Sequence, residues 1–548
     1  MKHGQESYFI RNDGWIIGSL IPLDALRRIF KKFVPWYRNP VTDPVDPKPD
    51  DQPKLPRRVF CRLFDEGTQP DAEGLIELGL AMETEVVPAT PGQTSALTDI
   101  SKEISSSGDS NIPGGFTYLG QFIDHDITSD PTPLTQDGPA VVPKKIDNQR
   151  TPALDLDCLY ANGPSQNPEL FEADGVHMKV GTNDATPEFA PGGPIPSFNN
   201  DLPRRPDMKA IIGDGRNDEN LAVAQTHLAF IKFHNKKVNE LKAAQPSLQG
   251  EALFKAAQKE VVLHYQSIIL NDFLPRIVQE DVLQDVLCNG RKLYTEELKE
   301  CMPIEFSVAA YRLGHSMVRP SYEWNRVFNT KRDGITATME FLFEFSEVSG
   351  SRGDGDDPFF GSPTVPSNWI IDWTRFYDFA DVDGVDPHPD MNFTREIDAK
   401  LSFALQQLPE FQKQNLPAIF ISLASRNLLR GRLVKLPSGQ AVVKGMQDKG
   451  ISVTGLTTDD LLTSPHGEIL KTHGFDQETP LWYYILREAK VKNDGNKLGP
   501  VGSRIVAEVF VGLIENSAIS LRAQSDISDP QFSMSKLLAF VGELNPLG

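Results

Sequence analysis

The sequence predicts a mainly α protein built around one large domain, and three observations carry that prediction. Past residue 57 apolar-periodic helical segments dominate, among them Leu221–Leu241, Glu251–Leu270 and Ser503–Ser517, while alternating strand patterns are few. The polar residues that stand out on these segments run from Gln121 to Asn427, so a site assembled from them requires that whole span to fold together. The composition, 39% hydrophobic with 41 glycines in 548 residues, is that of an ordinary globular protein rather than a repeat or low-complexity chain. The expected division is an extension over 1–56 and a single domain over 57–548.

Within the extension, Ala25, Leu26, Ile29, Phe30, Phe33 and Val34 keep helical spacing, with Arg27, Arg28, Lys31 and Lys32 opposite. Such a basic amphipathic helix can lie on a membrane; docking on its own acidic domain is the favoured reading. A proline- and aspartate-rich linker follows, from Asn39 to Pro56. A net charge of −20 argues against nucleic acid or an anionic membrane as the main partner. No apolar run approaches the ~18 residues of a membrane span. Cys61, Cys158, Cys288 and Cys301 are too sparse for a disulfide framework, and Met1–Glu6 lacks a secretory start. Localisation stays open between the cytoplasm and secretion without an evident signal peptide.

The first chemically informative segment is Gly120–Thr128. It sits inside an apolar-periodic segment (Phe116, Leu119, Phe122, Ile123, Ile127) that reads as a helix buried on one side. Gln121, Asp124 and His125 stand at i, i+3 and i+4 and share a face, whereas Asp126 is turned roughly 100° away. Each polar group on a buried face must find partners or costs a few kcal/mol, so three together point to chemistry. A lone helical histidine is more often a satisfied structural residue, and adjacent helical side chains diverge too far to ligate one ion.

Two further segments follow at wide spacing. Gly213–Asn220 leads into the Leu221–Leu241 helix, with Arg216 and Glu219 three apart near its start. Ala309–Pro320 places His315 in an apolar helix ended by Pro320, with Gly314 allowing close approach of something flat. That environment suits an axial haem ligand, although taken singly His315 reads as a core histidine.

Together these segments resemble, in order and spacing, the animal-type haem peroxidases of the peroxidase–cyclooxygenase superfamily. Gly120–Thr128 is similar to the family's distal helix, Arg216–Glu219 to its catalytic arginine with a following carboxylate, and Arg312–His315 to its proximal segment. Asn427–Arg432 resembles its Asn-x-x-Arg-x-Arg, and Thr151–Asp157 its calcium loop. The similarity covers roughly residues 57 to 545, and the sparse cysteines resemble bacterial members more than secreted animal ones.

The resemblance implies a peroxidase with haem b and Ca²⁺ as cofactors. Hydrogen peroxide would be the oxidant, and iodide, bromide, thiocyanate, phenols or aromatic amines the donors. It implies His125 as distal acid–base, Arg216 as distal cation and Gln121 as a pocket residue holding water or an anion. His315 would ligate iron, with Arg312 beside it and Asn427 accepting a hydrogen bond from its far nitrogen. Asp124 and Glu219 match carboxylates that esterify haem methyl groups. Asn220 stands where the mammalian halide oxidase has a Met, so a third link and strong chloride oxidation are not expected. Asp126, pointing away from the pocket, would join Thr151, the Ala153 carbonyl, Asp155 and Asp157 around calcium, an oxygen-rich set of the kind that ion prefers. A cyclooxygenase-like fatty-acid dioxygenase is the alternative, but its radical tyrosine position holds Arg312, with Tyr311 one residue earlier. A non-catalytic adhesion or matrix module, suggested by Arg352-Gly353-Asp354, is the other. Gly353–Asp357 reads as a solvated acidic loop, and His227 and His234, seven apart, as packing residues.

Overall fold

A computed structural model describes residues 58–83, 108–132, 139–331 apart from 189 and 207–208, 336–344, 364–402, 405, and 422–548 apart from 524–528 and 530. The amphipathic helix, the linker, the Arg352–Asp354 tripeptide and the 353–357 loop lie outside these residues.

The described chain is helical with short strands. In order come β1 (Val59–Cys61), α1 (Ala72–Glu83), β2 (Asp109–Pro113), α2 (Gly115–Ile127), α3 (Leu221–Ala244), α4 (Gly250–Ile268), α5 (Glu280–Asn289), β3 (Cys301–Pro303), β4 (Phe393–Arg395), α6 (Leu423–Leu433), α7 (Leu481–Asn493), α8 (Pro500–Asn516) and α9 (Met534–Val541). The predicted helices Leu221–Leu241, Glu251–Leu270 and Ser503–Ser517 are α3, α4 and α8 within a few residues. β1 pairs parallel with β3, and β2 antiparallel with β4.

Packing places the elements that matter for the site. α2 lies on α3, where Phe122 stacks on Phe230 at 4.8 Å between ring centroids. α1 crosses α6 closely at Gly79, where an added Cβ would fall 2.4 Å from the Ser425 backbone nitrogen. Only glycine fits there, and the crossing fixes the depth of α6, whose Ser422 hydroxyl caps it on the Ser425 N–H.

The expectation of an apolar α-helix around His315 is corrected. Residues Glu305–Ala309 form a π turn and Ala310–His315 a 3₁₀ turn, the chain bending at Ala309 (φ −130°, ψ −77°). Short turns of these types have poorer hydrogen-bond geometry than an α-helix and recur at functional sites.

One disulfide, Cys61–Cys301, joins β1 to β3 with 5.8 Å between Cα atoms. Beside it the buried Glu305 carboxylate accepts from Leu63 N (3.0 Å) and Phe64 N (3.3 Å). The start of the domain is thereby pinned to the π turn that leads into the His315 turn. A bridge spanning 240 residues has no local spacing signature, so cysteine sparseness excluded a framework but not this pair. Cys158 and Cys288 are free.

Candidate functional site

α2 presents the two faces its sequence predicts. Gln121 and Asp124 are half-buried beside the half-buried Gly120, while His125 and Asp126 are fully buried. The 310–315 turn lies against this helix, and the Tyr311 hydroxyl donates to the Gly120 carbonyl at 3.1 Å. Arg312, Gly314 and His315 are also half-buried. A Cβ built on Gly314 would meet no atom within 4 Å, so there is open space beside the histidine. A seam of half-buried polar groups thus runs through an otherwise closed apolar core.

His125 sits at 0% exposure with Nδ1 2.8 Å from Asn217 Oδ1. Asn217 belongs to a 3₁₀ turn, Gly215–Asp218, which precedes α3 rather than opening it. That turn holds Arg216 inward: Nε reaches Asp214 Oδ1 (3.0 Å), and Nη2 reaches Asp214 Oδ2 (2.7 Å), the His125 carbonyl (3.0 Å) and the Thr128 carbonyl (2.8 Å). The guanidinium therefore ties the last turn of α2 to the 214–218 segment. Burial alone would raise the Asp214 carboxyl, but the charges and hydrogen bonds of Arg216 and Arg150 outweigh it and hold it well below the usual range.

Glu219 follows this turn, half-buried, with its N–H on the Arg216 carbonyl. Asn220 is the N-cap of α3: its Oδ1 accepts from Val223 N (3.0 Å) while its Nδ2 donates to Gln121 Oε1 (2.9 Å). Gln121 is thus oriented by a residue the sequence singled out only as a missing methionine. Burial pushes the Asp124 carboxyl up, opposed by Arg216 and Arg312, and it accepts from the Thr128 hydroxyl at 2.9 Å.

On the other side, His315 Nδ1 lies 2.8 Å from Asn427 Nδ2. The expected pair forms, but its polarity is corrected: the amide nitrogen, not the carbonyl, faces the imidazole. Arg312 is the reason, because its guanidinium donates to Asn427 Oδ1. Trp482 packs edge-on to His315 at 6.4 Å and donates its indole N–H to the Arg312 carbonyl at 3.2 Å.

Of the predicted calcium residues, Thr151, Asp155 and Asp157 are joined by hydrogen bonds, and Asp126 lies near enough for the Asp155 and Asp157 carboxylates to repel it. Asp126 points away from the seam, its oxygens accepting from Leu156 N (3.2 Å), Cys158 N (3.3 Å) and the Tyr265 hydroxyl (3.1 Å). Thr151 donates to Asp155 (2.8 Å) and Asp157 (3.1 Å). Thr151, Ala153, Asp155 and Asp157 are half-buried while Leu154 and Leu156 are buried, and the chain bends through residues 152–155 before Leu156 turns left-handed (φ 61°), in place of the extended loop the sequence predicts. Burial and mutual repulsion push Asp126 well up and Asp155 to about 6. Arg150 bridges Asp157 to Asp214, linking this loop to the Arg216 turn. Among the described residues no three His, Cys, Asp or Glu side chains stand in a ready-made metal arrangement.

Sequence reasoning missed Asn217 and took His227 for packing alone. His227 packs against Phe122, but its Nδ1 also lies 3.0 Å from Asn217 Nδ2. His234 is satisfied by Tyr160 (3.0 Å) and the Val176 carbonyl (2.9 Å).

The profile described as "Animal haem peroxidase" matches residues 132–438. Peroxidasin homolog pxn-1 of Caenorhabditis elegans is 24% identical over 378 residues, covering 66% of this chain and 26% of that protein. Thyroid peroxidase of Mus musculus is 27% identical over 193 residues, 33% of this chain and 20% of that protein. The chain spans about a quarter or less of the first curated relatives it matches. Peroxidase A from Dictyostelium discoideum has a similar structure (TM-score 0.55, 17% identity, 88% of this chain and 90% of that one). A fatty acid alpha-dioxygenase of Oryza sativa also does (TM-score 0.55, 12% identity, 89% and 79%), and at these identities both show the fold alone.

Proposed function

Because the chain belongs to the animal haem peroxidase family, we propose that it reduces hydrogen peroxide and oxidises small anions or phenolic and aromatic donors. The observation that carries the reading is the pairing of two imidazoles on elements in contact. His125 is buried on α2, and His315, backed by Asn427 and Arg312, sits on the turn packed against it.

The half-buried seam and the open space beside Gly314 would admit a flat macrocycle such as haem, and iron ligation by His315 would require its proton on Nδ1 with the Asn427 amide turned to accept it. His315 would hold the iron, and Asp124 and Glu219 would face the haem edges. When bound, the haem supplies the centre at which the peroxide O–O bond is cleaved. His125 takes the proton from the near peroxide oxygen and returns it to the far one. Arg216, held by Asp214 in a dry site, stabilises the negative charge that develops, where low dielectric makes a fixed cation effective.

The ester reading assigns Asp124 and Glu219 as links to the haem. Peroxide treatment should make haem resist acid–butanone extraction, and Asp124→Asn with Glu219→Gln should abolish the resistance. The calcium reading assigns Asp126, Thr151, Ala153, Asp155 and Asp157 as ligands, supported by the gathered carboxylates whose repulsion a cation would relieve. Chelator should lower the melting temperature of the wild type and leave Asp126→Ala unaffected. An oxidising compartment is favoured by the Cys61–Cys301 bridge.

The test of the main reading is a haem titration followed by peroxide-dependent oxidation of guaiacol or iodide. Haem uptake with turnover is expected; no haem uptake would overturn it. Oxygen consumption with linoleate in place of peroxide turnover would favour the dioxygenase, whose tyrosine has no counterpart in Tyr311, held by the Gly120 carbonyl.

A further inference from the structure

Asn217 is a fully buried primary amide placed between two fully buried histidines. Its Oδ1 lies 2.8 Å from His125 Nδ1, and its Nδ2 lies 3.0 Å from His227 Nδ1. An amide oxygen only accepts and an amide nitrogen only donates. His125 must therefore carry a proton on Nδ1, which leaves the Nε2 lone pair as its basic site. His227 must accept on Nδ1 and keep its own proton on Nε2. Turning the amide by half a turn would reverse both assignments at once, so the two imidazoles have linked tautomers.

We infer that His227 and Asn217 are positioning residues that fix the tautomer of His125, so that Nε2 is always the nitrogen available to take a proton. The inference rests on the acid–base role proposed for His125 but concerns side chains in neither the haem contacts nor the calcium loop. Without this arrangement a neutral His125 would place its proton on Nε2 part of the time and could not act as a base in that form. A protonated His227 would donate from Nδ1, draw the amide oxygen to itself and turn the amide nitrogen toward His125. Burial prevents this: it pushes the His227 pKa down to about 3, against a smaller opposing pull from Asp214. No hydrogen-bond partner reaches His227 Nε2 among the described residues, and the ring rests edge-on to Phe122 at 5.7 Å. Its polar contact is thus confined to the nitrogen that faces Asn217.

Imidazole nitrogen-15 shifts distinguish protonated from unprotonated ring nitrogens. They are measured on the full chain, with and without diamagnetic zinc protoporphyrin in place of haem. His125 is assigned from the signal lost in His125→Gln and His227 from that lost in His227→Gln. The expected wild-type result is His125 protonated on Nδ1 and His227 protonated on Nε2; the reverse pattern overturns the inference without any variant having to fold. His227→Phe, which keeps a ring in the cavity but removes the acceptor, should give His125 as a mixture of tautomers. It should also slow the peroxide reaction of the haem-loaded chain on the order of tenfold. His227→Gln, which restores an acceptor for the amide N–H, should recover both. A pure Nδ1–H His125 in His227→Phe removes His227 from the account. The predicted tautomers in a chain that takes up haem but does not react with peroxide would uphold this inference and overturn the peroxidase reading.

Discussion

The two sides of the seam use the same pair of residue types in opposite senses. His125 and His315 each have Nδ1 2.8 Å from an asparagine amide, but the distal imidazole meets an oxygen and the proximal one a nitrogen. The difference comes from the third residue. Neutral His227 receives the Asn217 amide N–H, which leaves the oxygen for His125; cationic Arg312 takes the Asn427 oxygen, which leaves the nitrogen for His315. Asparagine carries the message but does not write it. A donor at its back makes the amide donate onward, and an acceptor makes it accept. The distal arrangement yields an imidazole with a definite proton and a definite base. The proximal one makes Nδ1 the acceptor and leaves the proton on Nε2, so an electron-rich iron ligand there would require the Asn427 amide to turn its oxygen to an Nδ1–H.

Substitutions can break each half separately. The largest expected effect is His315→Ala, which should lose iron ligation and most bound haem, read as the loss of the Soret band after desalting. Next is Asn427→Leu, which should lower haem affinity ~10–100-fold, the range typical of residues that orient a metal ligand. Arg312→Leu is the sharper variant, because the Asn427 amide becomes free to turn and accept from Nδ1–H. The haem iron potential should then fall, because an acceptor at Nδ1–H makes the ligand more electron-rich; an unchanged potential would show that Arg312 does not set the polarity.

The distal half carries a pH signature. The folded pKa of His227 is depressed to about 3 while its unfolded value is near 6.5, so below pH 6.5 the unfolded chain binds the extra proton. Its contribution to stability is intact above pH 6.5 and falls as the pH drops from there toward 3. At pH 5 the loss amounts to roughly 2 kcal/mol. His227→Phe should be less stable than wild type at pH 7.5 yet show a correspondingly shallower fall to pH 5 in urea titrations. The smallest effect is expected from Asn220→Ala, which removes the α3 N-cap and costs about 1 kcal/mol in the same titrations. A much larger loss would show that its hydrogen bond to Gln121 carries more of the distal architecture than the cap does.

The helical periodicity made part of this legible in advance. Gln121, Asp124, His125 and Asp126 divide between two faces of α2 as a 3.6-residue period requires, and α3, α4 and α8 follow their apolar patterns. What escaped depends on geometry that no period encodes. The direction of the Arg216 side chain follows from a 3₁₀ turn and from Asp214, two residues earlier. The roles of Asn217 and His227 appear only once that turn brings residue 217 between α2 and α3. The polarity of Asn427 depends on Arg312, 115 residues away, since either end of an amide can face an imidazole. The Cys61–Cys301 bridge likewise needs the parallel pairing of two three-residue strands.

The central claim is that the buried histidine of α2 is the acid–base group of a peroxide-reducing haem site. Stopped-flow mixing of the haem-loaded wild type and His125→Ala with hydrogen peroxide tests it most directly. The account predicts that His125→Ala retains its haem and that its peroxide-induced spectral change is slower by on the order of 10²-fold or more. A change at the wild-type rate in a haem-replete His125→Ala would contradict it.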